Sequence, residues 1–331
     1  MPRITVLMPV YNGMPYIPEA VDSVLSQSET DWELIISDNG STDGTRDYLR
    51  TLTDPRIRVH YQDTNLGIFG NLNFLLEQSR TDIAKILCAD DVLLPGALTR
   101  IAAFMEERPW CAVSRCWAQG DGQRFGPAGR GHLIGSLPAR IYPQASNLLF
   151  ATFGNIVGNL SKAACRPKLV LDAGGFDQSY PYAGDYEGWM RVAARHGIAL
   201  HDEELIMERH HEQQNSNLLN KKNEMYPQLK RLLESVAPKL PPENLPLLRR
   251  HWTIHFFAQR IPKLVRQAAR GQIALAAEGL KEMPFGISPS AVIAAYPLLK
   301  LDLPPARKTS KQLFDRIIEI NDAAQQCAGV V

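Results

Sequence analysis

Short apolar runs alternate with amphipathic stretches through the first 120 residues of this 331-residue chain, and this alternation most constrains its fold. Four runs rich in branched apolar residues are predicted as strands: Ile4–Val10, Glu33–Ser37, Ile57–Tyr61 and Ile83–Ala89. Between them, apolar residues recur at helical spacing, as in Tyr16–Gln27. Because parallel strands need crossover connections, the alternation predicts an α/β fold with a mostly parallel central sheet flanked by helices.

The pattern changes near residue 220. Before that point, apolar runs at Cys111–Ala118 and Ala199–Met207 predict two more strands. After it, helical stretches are broken by prolines and no further strand is indicated. We therefore predict a sheet domain over residues 1–217 and a helical C-terminal region over residues 218–331.

The composition excludes several classes of protein. Hydrophobic residues make up 45% of the chain and charged residues 21%, as in soluble globular proteins. The net charge of +1 argues against a nucleic-acid binder. The five cysteines have no Cys-x-x-Cys spacing, so neither a disulfide framework nor a zinc site is indicated. Because no leader precedes the first predicted strand and no apolar run has the length of a membrane span, we expect a cytoplasmic protein.

Two adjacent carboxylates, Asp90 and Asp91, follow the fourth predicted strand, and Pro95 is predicted to open the next helix. Open α/β sheets bind ligands at the carboxyl ends of their strands. Neighbouring carboxylates repel each other unless a cation lies between them, and Mg²⁺ or Mn²⁺ prefers such oxygen ligands. The pair therefore predicts a divalent-cation site. The alternative is a solvated turn that caps the following helix.

Several common motifs are absent from the sequence. The turn after the first strand lacks Gly-x-Gly-x-x-Gly, and the chain has no P-loop, His-Glu-x-x-His or Gly-x-Ser-x-Gly motif. Asn159-Leu160-Ser161 fits a glycosylation sequon, which has no significance in a cytoplasmic chain. A sheet with acids at several strand ends and no phosphate-binding glycine loop is expected to hold phosphates through a metal, which indicates a nucleoside diphosphate site.

Seven polar or glycine-containing motifs occur in a fixed order over residues 1–217. They are Pro9-Val10-Tyr11-Asn12, Asp38-Asn39-Gly40-Ser41-Thr42-Asp43, Asn65-x-Gly67, Ala89-Asp90-Asp91, Gly174-Gly175-Phe176-Asp177, Asp185-Tyr186-Glu187-Gly188-Trp189 and Arg209-x-His211-x-x-Gln214-x-Ser216. In this order and spacing the chain resembles a family 2 glycosyltransferase. The resemblance implies the GT-A fold, whose Rossmann-like sheet agrees with the predicted alternation of strands and helices.

The resemblance also implies roles for individual residues. The nucleotide-binding residues would be Pro9, Tyr11, Asp38, Asn39 and Asp90. Tyr11 offers an aromatic face to a base, Asp38 and Asn39 can accept from a base N–H, and Asp90 would contact the ribose or the metal.

Metal binding and catalysis are implied for three more residues. Asp91 and His211 would hold Mn²⁺ or Mg²⁺, with His211 able to contact a phosphate instead. Asp185 would act as the catalytic base, accepting a proton from the acceptor hydroxyl. Glu187 is the rival base, two residues further on.

Other interpretations of these residues stay open. Asp38 could shape an Asx-turn, Asp185 could be a carboxylate favoured at a helix start, and Tyr11 could be a packing residue. His211 could lie on the surface without a ligand. Three positions depart from the family pattern, because Asn39, Cys88 and Gly184 stand where acids are common.

The implied function is that of an inverting, metal-dependent glycosyltransferase. It would move a sugar from a nucleoside diphosphate, UDP or dTDP, to a hydroxyl of a glycan or lipid-linked acceptor in bacterial surface polysaccharide synthesis. The alternatives are a nucleotidyltransferase and a decayed nucleotide- or glycan-binding module. The basic, amphipathic stretch Leu247–Ala277 leaves three roles open for the C-terminal region: the acceptor side, a homodimer contact, or a peripheral contact with the inner face of the membrane.

Overall fold

Strands and helices alternate through the first part of the computed structural model, as the apolar pattern predicts. The first seven elements are β1 Ile4–Val10, α1 Ile17–Leu25, β2 Trp32–Asp38, α2 Thr45–Arg50, β3 Ile57–Tyr61, α3 Gly67–Gln78 and β4 Ala84–Ile86. The structure describes residues 2–120, 130–211, 225–258, 261–274, 276–277, 288–300 and 304–328.

Further strands and helices follow up to residue 207. These elements are β5 Val92–Leu93, α4 Ala97–Glu106, β6 Val113–Ala118, α5 Arg130–Gly135, β7 Arg140–Ile141, α6 Pro143–Phe153, β8 Ala163–Cys165, α7 Pro167–Asp172, α8 Gly184–His196 and β9 Ile198–Met207. The sequence did not predict β5, β7 and β8, because strands of two or three residues are too short to show a hydrophobic period.

Among the residues that the structure describes, nine strands form one sheet in the order β3-β2-β1-β4-β8-β6-β9-β5, and β7 pairs with β9. The first four strands are parallel to one another, and β6 is parallel to β9. β8 is antiparallel to both of its neighbours, β4 and β6. The predicted α/β class and its parallel β1–β4 half are therefore confirmed, while the far half of the sheet has mixed directions.

The core lies on both faces of the parallel strands. All seven residues of β1 are buried, as expected for a central strand covered by helices on either side. Ile17, Val21 and Val24 of α1 pack with Leu34 and Ile36 of β2 in this core. Packing of this kind fixes the strand ends, and with them the loops that carry the polar motifs.

Two predicted boundaries near Asp90 were wrong. The strand predicted over Ile83–Ala89 ends at Ile86, and the backbone N–H of Cys88 donates to Ser161 Oγ at 2.8 Å instead of to a neighbouring strand. The helix predicted to open at Pro95 begins at Ala97, because Gly96 has a left-handed φ of 73° that no helix can include.

The described chain divides into two compact units. The first comprises Met1–Arg124, Leu137–Ser146 and Asn155–Gln214 and holds all nine strands, and the second comprises Phe125–Ser136, Asn147–Gly154 and Asn215–Val331. The predicted division between residues 217 and 218 lies outside the described residues and stays a prediction.

The C-terminal part of the chain is helical, as predicted. Its helices are α9 Met225–Val236, α10 Leu245–Trp252, α11 Ile261–Ala269, α12 Pro289–Lys300 and α13 Pro304–Ala328, with a π-helical turn at Thr253–Phe257. Within the second unit, Trp252 Nε1 donates to the carbonyl of Ala151 at 2.6 Å. Among the residues that the structure describes, no helix combines the length and the apolar character needed to cross a membrane.

Candidate active site

Several of the predicted site residues lie at one edge of the sheet in the first unit. Val10 lies opposite Asp38 in the register of β1 and β2, and Leu7 lies opposite Ile86 in β1 and β4. The residues that follow these parallel strands therefore leave the sheet at the same edge. This brings Tyr11, Asn39 and Asp90 onto neighbouring loops, as the sequence predicted.

The loops after β1 and β2 are held to each other by side chains. Asn12 N donates to Ser41 Oγ at 2.8 Å, and Asn12 Oδ1 accepts from Thr42 N at 2.9 Å. Asn12 has a φ of 52°, which asparagine tolerates better than most residues. Tyr11 is 52% exposed on this braced loop, whereas Pro9 is buried in β1 opposite Ser37.

Asp38 ends β2 as a fully buried carboxylate with a cationic partner. Arg46 Nε donates to its Oδ2 at 2.6 Å, and Ser41 N donates to its Oδ1 at 3.2 Å. An ionised carboxylate has about four acceptor positions, so Asp38 retains capacity for a further N–H donor. The Asx-type contact with Ser41 is therefore observed, and the contact of Asp38 with a nucleotide stays a prediction.

Asn39 braces a neighbouring loop. Its Nδ2 donates to Asn65 Oδ1 at 2.8 Å and to the carbonyl of Gly67 at 3.2 Å, while its Oδ1 accepts from Leu66 N at 2.8 Å. An aspartate could not make the two donations. This explains why an amide stands at Asn39, whose contact with a nucleotide stays a prediction.

A cluster of potential metal ligands follows β4. One ligand atom from each of Cys88, Asp90 and Asp91 lies within 4.8 Å of the others. Asp91 is fully buried; its Oδ1 accepts from Arg209 N at 3.0 Å and its Oδ2 accepts from Asn159 Nδ2 at 3.3 Å. Burial, and then the negative charge of Asp90, raise the pKa of Asp91 to about 6.

The donor set of this cluster fits a hard divalent cation. Asp90 and Asp91 supply carboxylate oxygens, which Mn²⁺ and Mg²⁺ prefer. A cation would also offset the repulsion between them, which adds to the effect of burial on the pKa of Asp91. Burial raises the pKa of the Cys88 thiol well above its ordinary value, and hard cations prefer oxygen to sulfur, so this side chain is the weakest ligand of the three.

The segment after β9 covers the cluster. His211 Nε2 lies 3.1 Å from Asp90 Oδ2, and its ring stacks on Tyr16 with 4.6 Å between ring centroids. Arg209 contacts the carbonyl of Asp90 at 3.1 Å and forms an ion pair with Glu19. The structure thus brings His211 to the predicted metal site, while Gln214 and Ser216 of the same motif lie outside the described residues.

Asp185 lies in the first turn of α8 and is half-buried. Its Oδ1 accepts from Tyr186 N at 2.7 Å, and its Oδ2 accepts from Asn155 Nδ2 at 2.9 Å. Burial raises the pKa of Asp185 to about 6. A carboxylate with that pKa is ionised at neutral pH and is a stronger base than an ordinary aspartate.

The glycine before Asp185 has a steric cause. A Cβ built on Gly184 would lie 2.5 Å from Cε2 of Phe69, whose ring stacks on Phe176 at 5.7 Å between centroids. Any side chain at position 184 would have to displace this aromatic pair. An aromatic ring therefore fills the space that a side chain at position 184 would need.

Glu187, the rival base, is engaged elsewhere. Its Oε2 and Oε1 accept from Nη2 and Nε of Arg191 at 2.7 and 2.9 Å, and the same guanidinium donates to the carbonyl of Gly175 at 2.8 Å. This bidentate pair fixes α8 to the preceding glycine turn. The geometry therefore favours Asp185 as the base.

Asn155 and Asn159 contact the two central carboxylates, and the sequence did not indicate either role. Asn159 Nδ2 also donates to Glu208 Oε1 at 3.1 Å, and Glu208 pairs with Lys162 at 3.2 Å. Each asparagine lies at least 30 residues from the carboxylate it contacts, so no local spacing could indicate the pairing.

Comparison with known proteins gives a family match and several relatives. A family model described as glycosyl transferase family 2 matches residues 5–164. The putative teichuronic acid biosynthesis glycosyltransferase TuaG of Bacillus subtilis is 41% identical over 115 residues, which are 34% of this chain and 45% of TuaG. The GalNAc(5)-diNAcBac-PP-undecaprenol beta-1,3-glucosyltransferase of Campylobacter jejuni is 30% identical over 125 residues, 37% of this chain and 40% of the relative. Both alignments span less than half of the relative.

Solved structures share the fold. TarS 1–349 of S. aureus, in complex with UDP-GlcNAc, has a TM-score of 0.61 and 18% identity, covering 98% of this chain and 92% of that chain. The mannosyltransferase PcManGT of Pyrobaculum calidifontis, in complex with GDP-Man and Mn²⁺, has a TM-score of 0.59 and 19% identity, covering 91% of this chain and 88% of that chain. The likeness shows the GT-A fold. The match over residues 5–164 identifies this segment, just under half of the chain, as a glycosyl transferase family 2 domain.

Proposed function

We propose that this glycosyltransferase transfers a sugar, with inversion and with a divalent cation, from a nucleoside diphosphate to a hydroxyl of a glycan or lipid-linked acceptor. The observation that carries the proposal is the pairing of Asp90 with buried Asp91, whose pKa is raised to about 6. Two carboxylates in this setting favour a cation, and a cation there supports the binding of a diphosphate.

The loops after β1 and β2 would hold the nucleoside. Tyr11 offers an exposed aromatic face, and the buried carboxylate of Asp38 retains acceptor capacity for the N–H of a pyrimidine base. UDP and dTDP both carry such an N–H, and the TarS structure contains UDP-GlcNAc. Pro9 and Asn39 would shape this part of the site from within β1 and the loop after β2.

Asp91, His211 and Asp90 would hold Mn²⁺ or Mg²⁺. The PcManGT structure contains Mn²⁺ with its donor, which supports a metal in this fold. The cation would supply Lewis-acid stabilisation of the departing nucleoside diphosphate. Hydrogen bonds from Arg209 N and Asn159 Nδ2 would keep Asp91 ionised and oriented.

Asp185 would accept the proton of the acceptor hydroxyl as the hydroxyl oxygen attacks the anomeric carbon. The new carbon–oxygen bond forms as the bond to the terminal phosphate oxygen breaks, so a single displacement inverts the anomeric configuration. Asn155 holds one oxygen of Asp185 at 2.9 Å and keeps the carboxylate in one orientation. The other ionisable candidate, Glu187, is already paired with Arg191.

The acceptor is proposed from the relatives. TuaG is named for teichuronic acid biosynthesis, and the Campylobacter enzyme is named for an undecaprenol-linked glycan. We infer a glycan or lipid-linked acceptor in surface polysaccharide synthesis, with the protein acting at the inner face of the membrane.

Part of the C-terminal region is suited to an anionic lipid surface. In α11 and the residues after it, Val265 is 61% exposed and Ile273 is 69% exposed, close to the basic side chains of Arg266 and Arg270. Exposed apolar groups beside cations are typical of helices that lie on membranes. Sedimentation with phosphatidylglycerol vesicles tests this contact. Dimerisation without vesicle binding would instead assign the surface to a second copy.

Calorimetric titration with UDP, dTDP, GDP and CMP, each with Mn²⁺ and again with EDTA, tests the donor site. We expect binding of UDP or dTDP that EDTA abolishes. Preference for GDP would overturn the assignment of a pyrimidine donor. Binding that is unchanged by EDTA would overturn the metal site, and absence of all binding by the folded protein would indicate a decayed site.

A further inference from the structure

Two asparagines on one turn contact both carboxylates that the proposed reaction needs. Asn155 Nδ2 lies 2.9 Å from Asp185 Oδ2, and Asn159 Nδ2 lies 3.3 Å from Asp91 Oδ2. The turn lies between α6 and β8, within the first unit. In the sequence, Asn159 stands out only as part of a glycosylation sequon.

Each asparagine also fixes the turn that carries it. Asn155 Oδ1 accepts from Gly158 N at 3.3 Å, and Asn155 Nδ2 donates to the Gly158 carbonyl at 3.0 Å. Asn159 Oδ1 accepts from Ser161 N at 3.0 Å and caps a short 3₁₀ helix, Leu160–Lys162. The amide groups that donate to the carboxylates are therefore held in place by further contacts of the same side chains with the backbone of the turn.

Ser161 anchors the end of the turn to the sheet. It is fully buried, its Oγ accepts from Cys88 N at 2.8 Å, and its carbonyl accepts from Nζ of Lys85 in β4. Lys85 is fully buried as well, so this end of the turn is fixed from inside the core. Through the contact with Cys88 N, Ser161 binds the segment that directly precedes Asp90 and Asp91.

The chemistry of the amide suits this position. An amide donor orients a carboxylate oxygen without neutralising its charge, whereas an arginine or lysine at the same place would compete with a metal ion or lower the basicity of Asp185. Asn159 Nδ2 also donates to Glu208 Oε1 at 3.1 Å, so one amide separates two negative groups.

We propose that the segment Asn155–Ser161 is a positioning element that holds the base Asp185 and the metal-facing carboxylate Asp91 in a fixed relation for sugar transfer. Asn155 and Asn159 are positioning residues that act through these two carboxylates. The inference rests on the proposed function, because it takes Asp185 and Asp91 in the roles assigned there.

Serine variants separate this role from the fold of the turn. In Asn155→Ser and Asn159→Ser, the shorter hydroxyl can still accept from a backbone N–H and cap a helix, but it cannot reach the carboxylate. Asn73→Ser is the matched control, since Asn73 also braces a loop by contacts of 2.9 and 2.8 Å with the Phe176 backbone and contacts neither carboxylate. Circular dichroism and thermal unfolding check that each variant is folded.

Each variant is measured for Mn²⁺ binding by electron paramagnetic resonance in the presence of UDP, and for turnover of UDP-sugar. We expect Asn159→Ser to weaken Mn²⁺ binding about 10-fold or more, as is typical of partners that orient metal ligands. We expect Asn155→Ser to leave the dissociation constants of Mn²⁺ and UDP within about twofold and to lower kcat about 10-fold or more, because the misplaced carboxylate acts only in the reaction.

The outcomes separate this inference from the proposed function. If the wild type binds Mn²⁺ and UDP and turns over but both serine variants match it, the positioning role is wrong and the proposed function stands. If both variants and Asn73→Ser lower binding and turnover alike, the role of Asn155 and Asn159 is only structural. If the wild type binds no nucleoside diphosphate with Mn²⁺, the proposed function itself fails.

Discussion

Glu187 and Arg191 form a bidentate ion pair one helical turn apart in α8, with Oε2 of the glutamate 2.7 Å from Nη2 of the arginine. The same guanidinium reaches the carbonyl of Gly175 at 2.8 Å. In the proposed reaction, this pair would remove Glu187 from competition for the acceptor proton. Asp185 lies two residues earlier, and in the contacts described above its oxygens accept only from neutral donors, Asn155 Nδ2 and Tyr186 N.

Exchange of each carboxylate for its amide distinguishes the two residues. We expect Asp185→Asn to lower kcat about 100-fold to 10,000-fold, the usual contribution of general base catalysis, with donor affinity within about twofold. We expect Glu187→Gln to keep most of the turnover and to lose about 1 kcal/mol of stability with its partly buried ion pair. Initial rates and urea unfolding measure both effects. A larger loss of kcat in Glu187→Gln than in Asp185→Asn would contradict the assignment.

The pH dependence of turnover follows from the pKa of Asp185, which burial raises to about 6. A base must be ionised to accept a proton, so kcat falls as the pH falls through about 6, by about tenfold per unit below it. The rate is measured from pH 4.5 to 8 at saturating Mn²⁺ and donor, so that protonation of Asp91 affects metal affinity and not kcat. A flat profile down to pH 4.5 would show that Asp185 is not the base.

Asp91 is expected to lower the stability of the metal-free protein. Its folded pKa of about 6 exceeds the ordinary value of about 3.9, so the folded state holds this carboxylate ionised at neutral pH against a free-energy penalty. The sign follows from linkage: the penalty is largest above pH 6 and disappears as the pH falls toward 4.

The variant Asp91→Asn tests this penalty. We expect it to be more stable than the wild type by about 1–3 kcal/mol at pH 7.5 with EDTA, and by much less at pH 4.5. It should also lose Mn²⁺-dependent nucleotide binding. Urea unfolding at the two pH values measures the difference, and a destabilised Asp91→Asn protein at pH 7.5 would contradict the expectation.

Gly184 cannot accept a side chain without moving an aromatic ring. A Cβ there would lie 2.5 Å from Cε2 of Phe69, so we expect Gly184→Ala to cost about 1–3 kcal/mol and to lower kcat by displacing Asp185. Gly135→Ala is the control, since a Cβ at Gly135 meets nothing within 4 Å. Thermal unfolding and initial rates compare the two variants, and equal effects would contradict the steric explanation.

The sequence predicted the parts of the fold that repeat a period over many residues. The strands β1 and β3 begin and end at the predicted residues, because their apolar runs have clear polar boundaries. The helical C-terminal region was predicted because helical stretches broken by prolines follow residue 220 and no further strand is indicated there. The strand predicted over Ile83–Ala89 was too long, because Cys88 N pairs with Ser161 Oγ, a contact that no local pattern records.

Prediction of the site was uneven for a similar reason. The carboxylates Asp38, Asp90 and Asp91 could be proposed as site residues because they follow predicted strands and match a family pattern. The pairing of Glu187 with Arg191 could also have been found, since acid and base lie four residues apart on a predicted helix. Asn155 and Asn159 could not, because their partners lie on distant loops that meet only in the folded chain.

β8 points the opposite way to both of its neighbours in the sheet. In a wholly parallel sheet, only the residues that follow a strand reach the ligand-binding edge. One reversed strand lets the residues that precede it reach the same edge. The neutral donors Asn155 and Asn159 therefore lie on the connection between α6 and β8, which is separate in sequence from the segments that carry Asp91 and Asp185. Changes in that connection could adjust the site for a new acceptor while leaving the nucleotide-facing loops unaltered.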